Sequence, residues 1–280
     1  MTNKQSGSIE INGGKLYYEV GGAGDTLVLN HAGFVDSRMW DAQWHEFTKH
    51  FRVIRYDMRG FGKSDPANGP ICRRDDLYQL LMHLDVQQAQ FIGCSMGGTI
   101  VIDLALEHPE MVKSLVAVSA TPSGFEMQGE PPLHLFEMMD AAQQGDIART
   151  SELQIQIWVD GMYRQPEQVD PTVRKRAAVM NLIPVRNRTF LADAQPLNPL
   201  EPPAAGRLAE IHVPTLLIAG ALDHPEILRA ADVMQGAIRG AEKFIIPDAA
   251  HVPNMEHPDL FNQMVLDFLK SRRWSTDVER

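Results

Sequence analysis

The chain reads as an α/β domain: a mostly parallel sheet of eight strands with helices on both faces and a helical cap inserted after the sixth strand. Three observations predict this. Apolar runs of four to six residues recur at 26–30, 51–56, 89–93, 114–119, 215–220 and 243–246, each bounded by turn residues. They are continuous rather than alternating, as in strands buried on both faces of a parallel sheet. Stretches with apolar residues at helical spacing separate most of them, which implies βαβ units with right-handed crossovers. Between about residues 121 and 206 this alternation stops.

Two further strands open the sheet. Residues 9–11 and 16–20 flank Asn12-Gly13-Gly14, a hairpin signal. The segment 74–84 places Leu77, Leu80, Leu81 and Leu84 on one helical face. The segment 99–107 does the same with Ile100, Val101, Leu104 and Ala105, and His108-Pro109 stops it. A last helix is expected over 254–270, and a frayed polar tail over 271–280. The region 121–206 is rich in Met and Pro and shows helical patterns near 132–142, 150–163 and 171–182. Roughly ninety residues exceed an ordinary crossover, so the chain divides into a core, 1–120 and 207–280, and a cap, 121–206.

Composition narrows the function classes. The 280 residues are 44% hydrophobic and 22% charged, which suits a folded domain that closes its core without crosslinks. A formal net charge of −10 opposes binding to nucleic acid or anionic lipid. Two cysteines, Cys72 and Cys94, are too few for a disulfide scaffold or a Cys-rich metal site, and free thiols suit a reducing compartment. Residues 1–10 are polar without an apolar signal region, and no apolar run approaches a membrane span. The expected setting is the cytoplasm, the expected assembly a monomer or dimer.

The segment Gly93-Cys94-Ser95-Met96-Gly97-Gly98 has the G-x-S-x-G form, after a strand run and before a helix. A serine lifted out of the chain for attack needs a very tight strand-to-helix turn, and the residues two before and two after it must be small. Gly93 and Gly97 meet that need. The Met96 N–H, in the first turn of the helix, is available to a developing oxyanion. Cys94 is expected to point away and fill space. A Gly-rich loop with a harmless serine would not require this strand and helix on either side.

A serine hydroxyl needs a base within hydrogen-bond reach, and the base needs a carboxylate to hold its tautomer. In such a fold the chain order is Ser, acid, His, each at the C-terminal end of a strand. The run 215–220 leads into Asp223, and the run 243–246 leads into His251. Of ten histidines, His251 alone lies between the last strand and the last helix. His108 and His257 precede prolines and mark helix boundaries. His45, His50 and His83 fall in helical segments and are read as solvated, and His224 as a loop residue. Asp248 and Glu256 compete with Asp223 for the acid role by nearness alone.

The segment His31-Ala32-Gly33-Phe34 leaves the third strand run. Gly33 is placed to give a second N–H to the oxyanion hole and Phe34 to line the pocket, with His31 bonded to nearby backbone. Residues 57–64 (DMRGFGKS) lack the G-x-x-x-x-G-K-[ST] spacing of a phosphate loop, so Asp57 and Arg59 are read as structural.

Taken together, these landmarks resemble the α/β-hydrolase superfamily. Four of them, residues 31–34, 57–64, 93–98 and the Asp223…His251 pair, stand in the order typical of that family, and the resemblance spans nearly the whole chain. It departs at Ala32, where the family commonly has Gly, and at Asp248, where a small residue is usual. An aspartate close to the base would raise the pKa of His251.

The resemblance implies acyl transfer through Ser95, His251 and Asp223, with Gly33 and Met96 at the oxyanion and no metal or cofactor. Phe34, with Phe125, Phe136, Met139 and Trp158 from the cap, is expected to form an apolar substrate pocket. A small ester of a hydrophobic acid is the first expected substrate and a lactone, as in enol-lactonase-like members, the second. Carbon–carbon bond hydrolysis uses the same triad, and a small-molecule receptor with little turnover is the rival of another class.

Overall fold

The computed structural model describes residues 4–190 and 196–271. The polar tail therefore lies almost wholly outside the described residues. Eight strands form one sheet: β1 (Gln5–Ile11), β2 (Gly14–Gly21), β3 (Thr26–Asn30), β4 (Arg52–Tyr56), β5 (Ala89–Cys94), β6 (Val112–Val118), β7 (Thr215–Gly220) and β8 (Glu242–Ile246). Their spatial order is β1-β2-β4-β3-β5-β6-β7-β8. β2 pairs antiparallel with β1 and β4, and every other pairing is parallel. The opening hairpin closes through Asn12 and Gly13, both at positive φ (50° and 78°), the geometry a two-residue turn demands. Gly14 belongs to β2, opposite Ile11.

The continuous apolar runs follow from cover on both faces. Leu27, Leu29, Ile92, Val116 and Ile218 point to one side. There they meet Trp44 and Phe47 of α1 (Asp41–Phe47) and Phe261, Val265 and Leu269 of α9 (Pro258–Ser271). Val28, Phe91, Leu115, Ala117 and Leu217 point to the other. They meet α2 (Arg73–His83), α3 (Met96–Glu107) and α7 (Pro225–Ala237).

The insertion after β6 is helical, with α4 (Leu135–Gln144), α5 (Ile147–Ile155) and α6 (Pro171–Arg186). Asp146 and Asp170 cap α5 and α6 by accepting the N–H groups of Arg149 and Thr172. The helix expected over 150–163 begins at Ile147, widens into a π-helical turn at Gln156–Asp160 and ends at Gly161, φ +77°. Val159, Val173, Ala177 and Met180 bury against the first face of the core, so the cap is packed onto the domain that bears it.

The helix expected over 254–270 is two: α8 (Pro253–Glu256) and α9. His257, at φ −128° and ψ 62°, precedes Pro258, whose ring excludes the helical region for the residue before it. His224 lies in the loop before α7, as expected, and also caps that helix. Its Nδ1 caps α7 by accepting the Glu226 N–H, and its Nε2 lies 3.0 Å from the Glu130 carbonyl. Among the described residues no helix is long and apolar enough to cross a membrane.

Candidate active site

Ser95 sits between β5 and α3 with φ 52° and ψ −120°, a strained conformation for a residue with a side chain. The surrounding packing holds it there. Its N–H donates to the Val118 carbonyl at 2.8 Å, and its carbonyl accepts the Thr99 N–H at 3.0 Å. A Cβ on Gly93 would lie 2.3 Å from the Gly97 oxygen, and one on Gly97 would lie 2.5 Å from the Asn30 oxygen. The turn therefore presses against the segment leaving β3. Ser95 is half-buried, and Cys94 is fully buried. The Cys94 thiol points 3.7 Å from the His251 carbonyl, and burial, together with the Asp223 charge, pushes its pKa up.

Asp223 follows β7 and His251 follows β8, and both are 2% exposed. His251 Nδ1 lies 2.8 Å from Asp223 Oδ2, while Oδ1 accepts the His224 N–H at 2.7 Å. An ionised carboxylate only accepts, so in the neutral His251 ring the proton sits on Nδ1 and Nε2 keeps its lone pair. That Nε2 is buried and has no hydrogen-bond partner among the described residues. A buried nitrogen without a partner is costly, and sites of chemistry are where such costs are met.

The segment after β3 lies against the first turn of α3. A Cβ on Gly33 would come within 2.7 Å of Met96 Cε and 3.3 Å of Met96 Cβ. His31 fixes this segment: its Nδ1 donates to the Ala32 carbonyl and its Nε2 accepts the Met58 N–H, both at 2.9 Å. Burial pushes its pKa down, which agrees with a neutral ring. Asp57 accepts the N–H groups of Ser37 and Lys63, and Arg59 pairs with Asp76, so residues 57–64 brace the loop from behind. Burial, with Asp36 nearby, pushes the Asp57 carboxyl up.

A family model described as the alpha/beta hydrolase fold matches residues 25–258, a span that contains every one of these groups. The chain belongs to that family.

Its alpha/beta hydrolase relatives include a pimeloyl-[acyl-carrier protein] methyl ester esterase of Yersinia enterocolitica, 29% identical over 91% of this chain and 97% of that protein. Another is a 3-oxoadipate enol-lactonase of Acinetobacter baylyi, 26% identical over 97% of this chain and 96% of that protein. Among solved structures, a hydrolase from Pseudomonas aeruginosa superposes with a TM-score of 0.77 at 29% identity, covering 95% of this chain and 98% of that one. The enol-lactonase from Burkholderia xenovorans gives 0.77 at 26%, covering 94% and 100%.

Within this alpha/beta hydrolase, two of the five expected pocket residues meet at the His251 ring. The Trp158 and Phe34 rings lie 4.7 and 6.4 Å from the His251 ring, and 6.4 Å from each other. The others are placed differently. Phe125 packs under the Arg229 guanidinium at 4.2 Å. Phe136 and Met139 are 69% and 46% exposed on α4, so they face solvent in this arrangement. An amphipathic pattern shows that a helix has an apolar side and does not show what covers it. A cleft of about 410 Å³ on the cap, with Leu133, Ile157 and Met162 in its wall, includes neither Ser95 nor His251.

One residue that the sequence did not single out, Asn181, also builds the site, and the two rival acids take other places. Asn181 of α6 is fully buried and donates to the Phe34 carbonyl at 2.8 Å, tying the cap to the loop after β3. Glu256, the rejected rival for the acid role, accepts the Ala250 N–H at 2.8 Å. Asp248 is exposed, and its carbonyl accepts from Arg164. Among the described residues no group of three His, Cys, Asp or Glu side chains is arranged to hold a metal.

Proposed function

We propose that this chain is a serine hydrolase of small, largely apolar carboxylic esters, acting through an acyl-enzyme on Ser95. The observation that carries this reading is the His251 ring, with Nδ1 bound to a buried carboxylate and Nε2 without a partner among the described residues. Nε2 takes the Ser95 proton as the hydroxyl attacks the substrate carbonyl. The charge that develops on the carbonyl oxygen is met by the N–H groups of Gly33 and Met96, near the positive end of α3. His251 returns the proton to the leaving alcohol, then activates water to release the acid. Asp223 holds the ring and stabilises the imidazolium. Phe34 and Trp158 give the acyl side an apolar wall. The cytoplasm, where buried Cys72 and Cys94 stay reduced, is the compartment we assign.

A lactone is the second reading, supported by the similarity to enol-lactonases in both sequence and structure. Ring opening uses the same steps, with the leaving alcohol tethered to the acid.

The test is hydrolysis of short-chain p-nitrophenyl esters and of simple lactones by the intact protein and by Ser95→Ala. Repeated turnover lost in the variant is the expected result, and the ratio of ester to lactone rates ranks the two substrates. Turnover that survives Ser95→Ala overturns the serine mechanism. Binding without turnover of either substrate favours the receptor.

A further inference from the structure

One segment of the cap touches both the loop bearing the acid and the loop bearing the base. A Cβ on Gly161, which ends the π-helical turn, would lie 2.7 Å from the Leu222 oxygen and 2.9 Å from Ala250 Cβ. Leu222 immediately precedes Asp223, and Ala250 immediately precedes His251. Three residues further on, Arg164 donates to the carbonyls of Asp160 at 2.9 Å, Val159 at 2.7 Å and Asp248 at 3.4 Å. Its Nη1 also pairs with Glu256 Oε2 at 2.6 Å. The other Glu256 oxygen accepts the Ala250 N–H. Both side chains are withdrawn from solvent, at 12% and 6% exposure. Burial pushes the Glu256 carboxyl above its ordinary range, and Arg164 opposes that.

The loop between β8 and α8 has little side chain of its own with which to fix itself, since Ala249 and Ala250 precede the base. On one side the Leu222 N–H holds the Ala249 carbonyl at 2.9 Å. On the other side Glu256 and Arg164 hold Ala250 and Asp248.

We infer that Arg164 and Glu256 form a positioning pair for His251, through which the cap fixes the backbone just before the base and so the register of its ring with Ser95. This rests on the triad reading above. Neither residue touches the reacting atoms. The pair acts through geometry, to which a general base is sensitive: a displacement of about 1 Å costs about a hundredfold in rate. A buried ion pair suits the task because separating its members leaves an uncompensated charge out of water.

The experiment compares Glu256→Gln, Arg164→Met and the double variant with the intact protein. It reads kcat and KM on p-nitrophenyl butyrate, the thermal unfolding midpoint, and the downfield NMR resonance of the His251 Nδ1 proton. Each single variant is expected to lower kcat about tenfold or more with KM within about twofold, and to shift or broaden the resonance. The double variant is expected to be no worse than the worse single one, because both changes break one device. Arg149→Ala, which removes the exposed Arg149–Glu137 pair on the same cap, is expected to leave kcat unchanged.

Unchanged kcat with an unmoved resonance in the folded single variants overturns the pair. So does a loss of kcat that merely follows the unfolding midpoint while the resonance stays in place. Glu256→Gln is nearly isosteric and keeps an acceptor for Ala250, so it decides the matter if Arg164→Met fails to fold. Should the intact protein turn over no ester, or Ser95→Ala keep activity, the triad reading fails instead, and the resonance alone still decides whether the pair positions His251.

Discussion

The indole of Trp158 lies against the imidazole of His251, with ring centroids 4.7 Å apart and planes inclined by 39°. One ring belongs to the inserted cap and the other to the core. Trp158→Ala removes an apolar wall and a contact with the base. Contacts of this kind are worth about 0.5–1.5 kcal/mol beyond the area they bury. We expect kcat/KM for apolar esters to fall about tenfold or more and Trp158→Phe to recover most of it. Steady-state kinetics across acyl-chain lengths will show it. Equal loss for every chain length, acetyl included, would assign Trp158 to the base alone.

Asp223→Asn keeps the shape of the acid and removes its charge. The amide can present its NH₂ to Nδ1, which moves the imidazole proton to Nε2 and leaves no lone pair for Ser95. We expect kcat to fall about 10⁴-fold with the fold intact by circular dichroism. A fall of less than tenfold would move the acid role elsewhere, with Glu256 the first to test.

Two glycines are needed for different reasons. A Cβ on Gly97 meets backbone, the Asn30 and His31 oxygens at 2.5 and 2.6 Å, and neither can yield alone. Gly97→Ala is expected to cost about 1–3 kcal/mol or more in stability, as overpacking does, measured by denaturant unfolding. A Cβ on Gly33 meets first the flexible tip of Met96. Gly33→Ala is therefore expected to fold, with kcat reduced about tenfold or more by disturbance of the oxyanion donors. A Gly97→Ala protein as stable as the parent would refute the close approach of the elbow to the loop after β3.

His31 titrates abnormally. Burial lowers its pKa from about 6.5; Asp57, the Ala32 carbonyl and Asp36 oppose this, and Arg73 adds to it. The unfolded chain takes up this proton below about pH 6.5 and the folded chain does not. The stability contributed by neutral His31 is thus complete above about pH 6.5 and is lost as pH falls toward the folded value. NMR of the ring should show the neutral, Nδ1-protonated tautomer persisting below pH 6.5, with the unfolding midpoint declining over the same window. A ring that titrates at 6.5 or above would contradict the Met58 N–H bond to Nε2.

Much of the fold was legible because its causes are local. A strand covered on both faces must be apolar along most of its length, and β3, β5 and β7 each carry a continuous apolar run with polar residues at few positions. The elbow announces itself because only glycine fits where the Gly93 and Gly97 backbones meet their neighbours. The break at His257 was equally local: the proline after it marks a helix boundary, although helical periodicity runs across it from 254 to 270.

The cap resisted reading for the opposite reason. Apolar spacing identified α4, α5 and α6 as helices without saying which apolar residue faces the site. Trp158 and Phe136 look alike in sequence, yet one lies on His251 and the other is mostly in solvent. Glu256 was visible as an acid near the base, and nothing local distinguishes an acid that holds the ring from one that holds the preceding N–H.

The sequence by itself determined the strands, their order of chemistry along the chain, and Ser95, Asp223 and His251 as candidates at strand ends, because periodicity, steric need and strand-end position act within a few residues. Only the tertiary structure decided that Asp223 and His251 meet at 2.8 Å, that Trp158 lies against His251, and that Asn181 and Arg164 tie the cap to the loops around it. Those contacts join residues up to 147 positions apart. Their partners are chosen by how the insertion folds back over the sheet, a long-range packing outcome that no short stretch of sequence encodes.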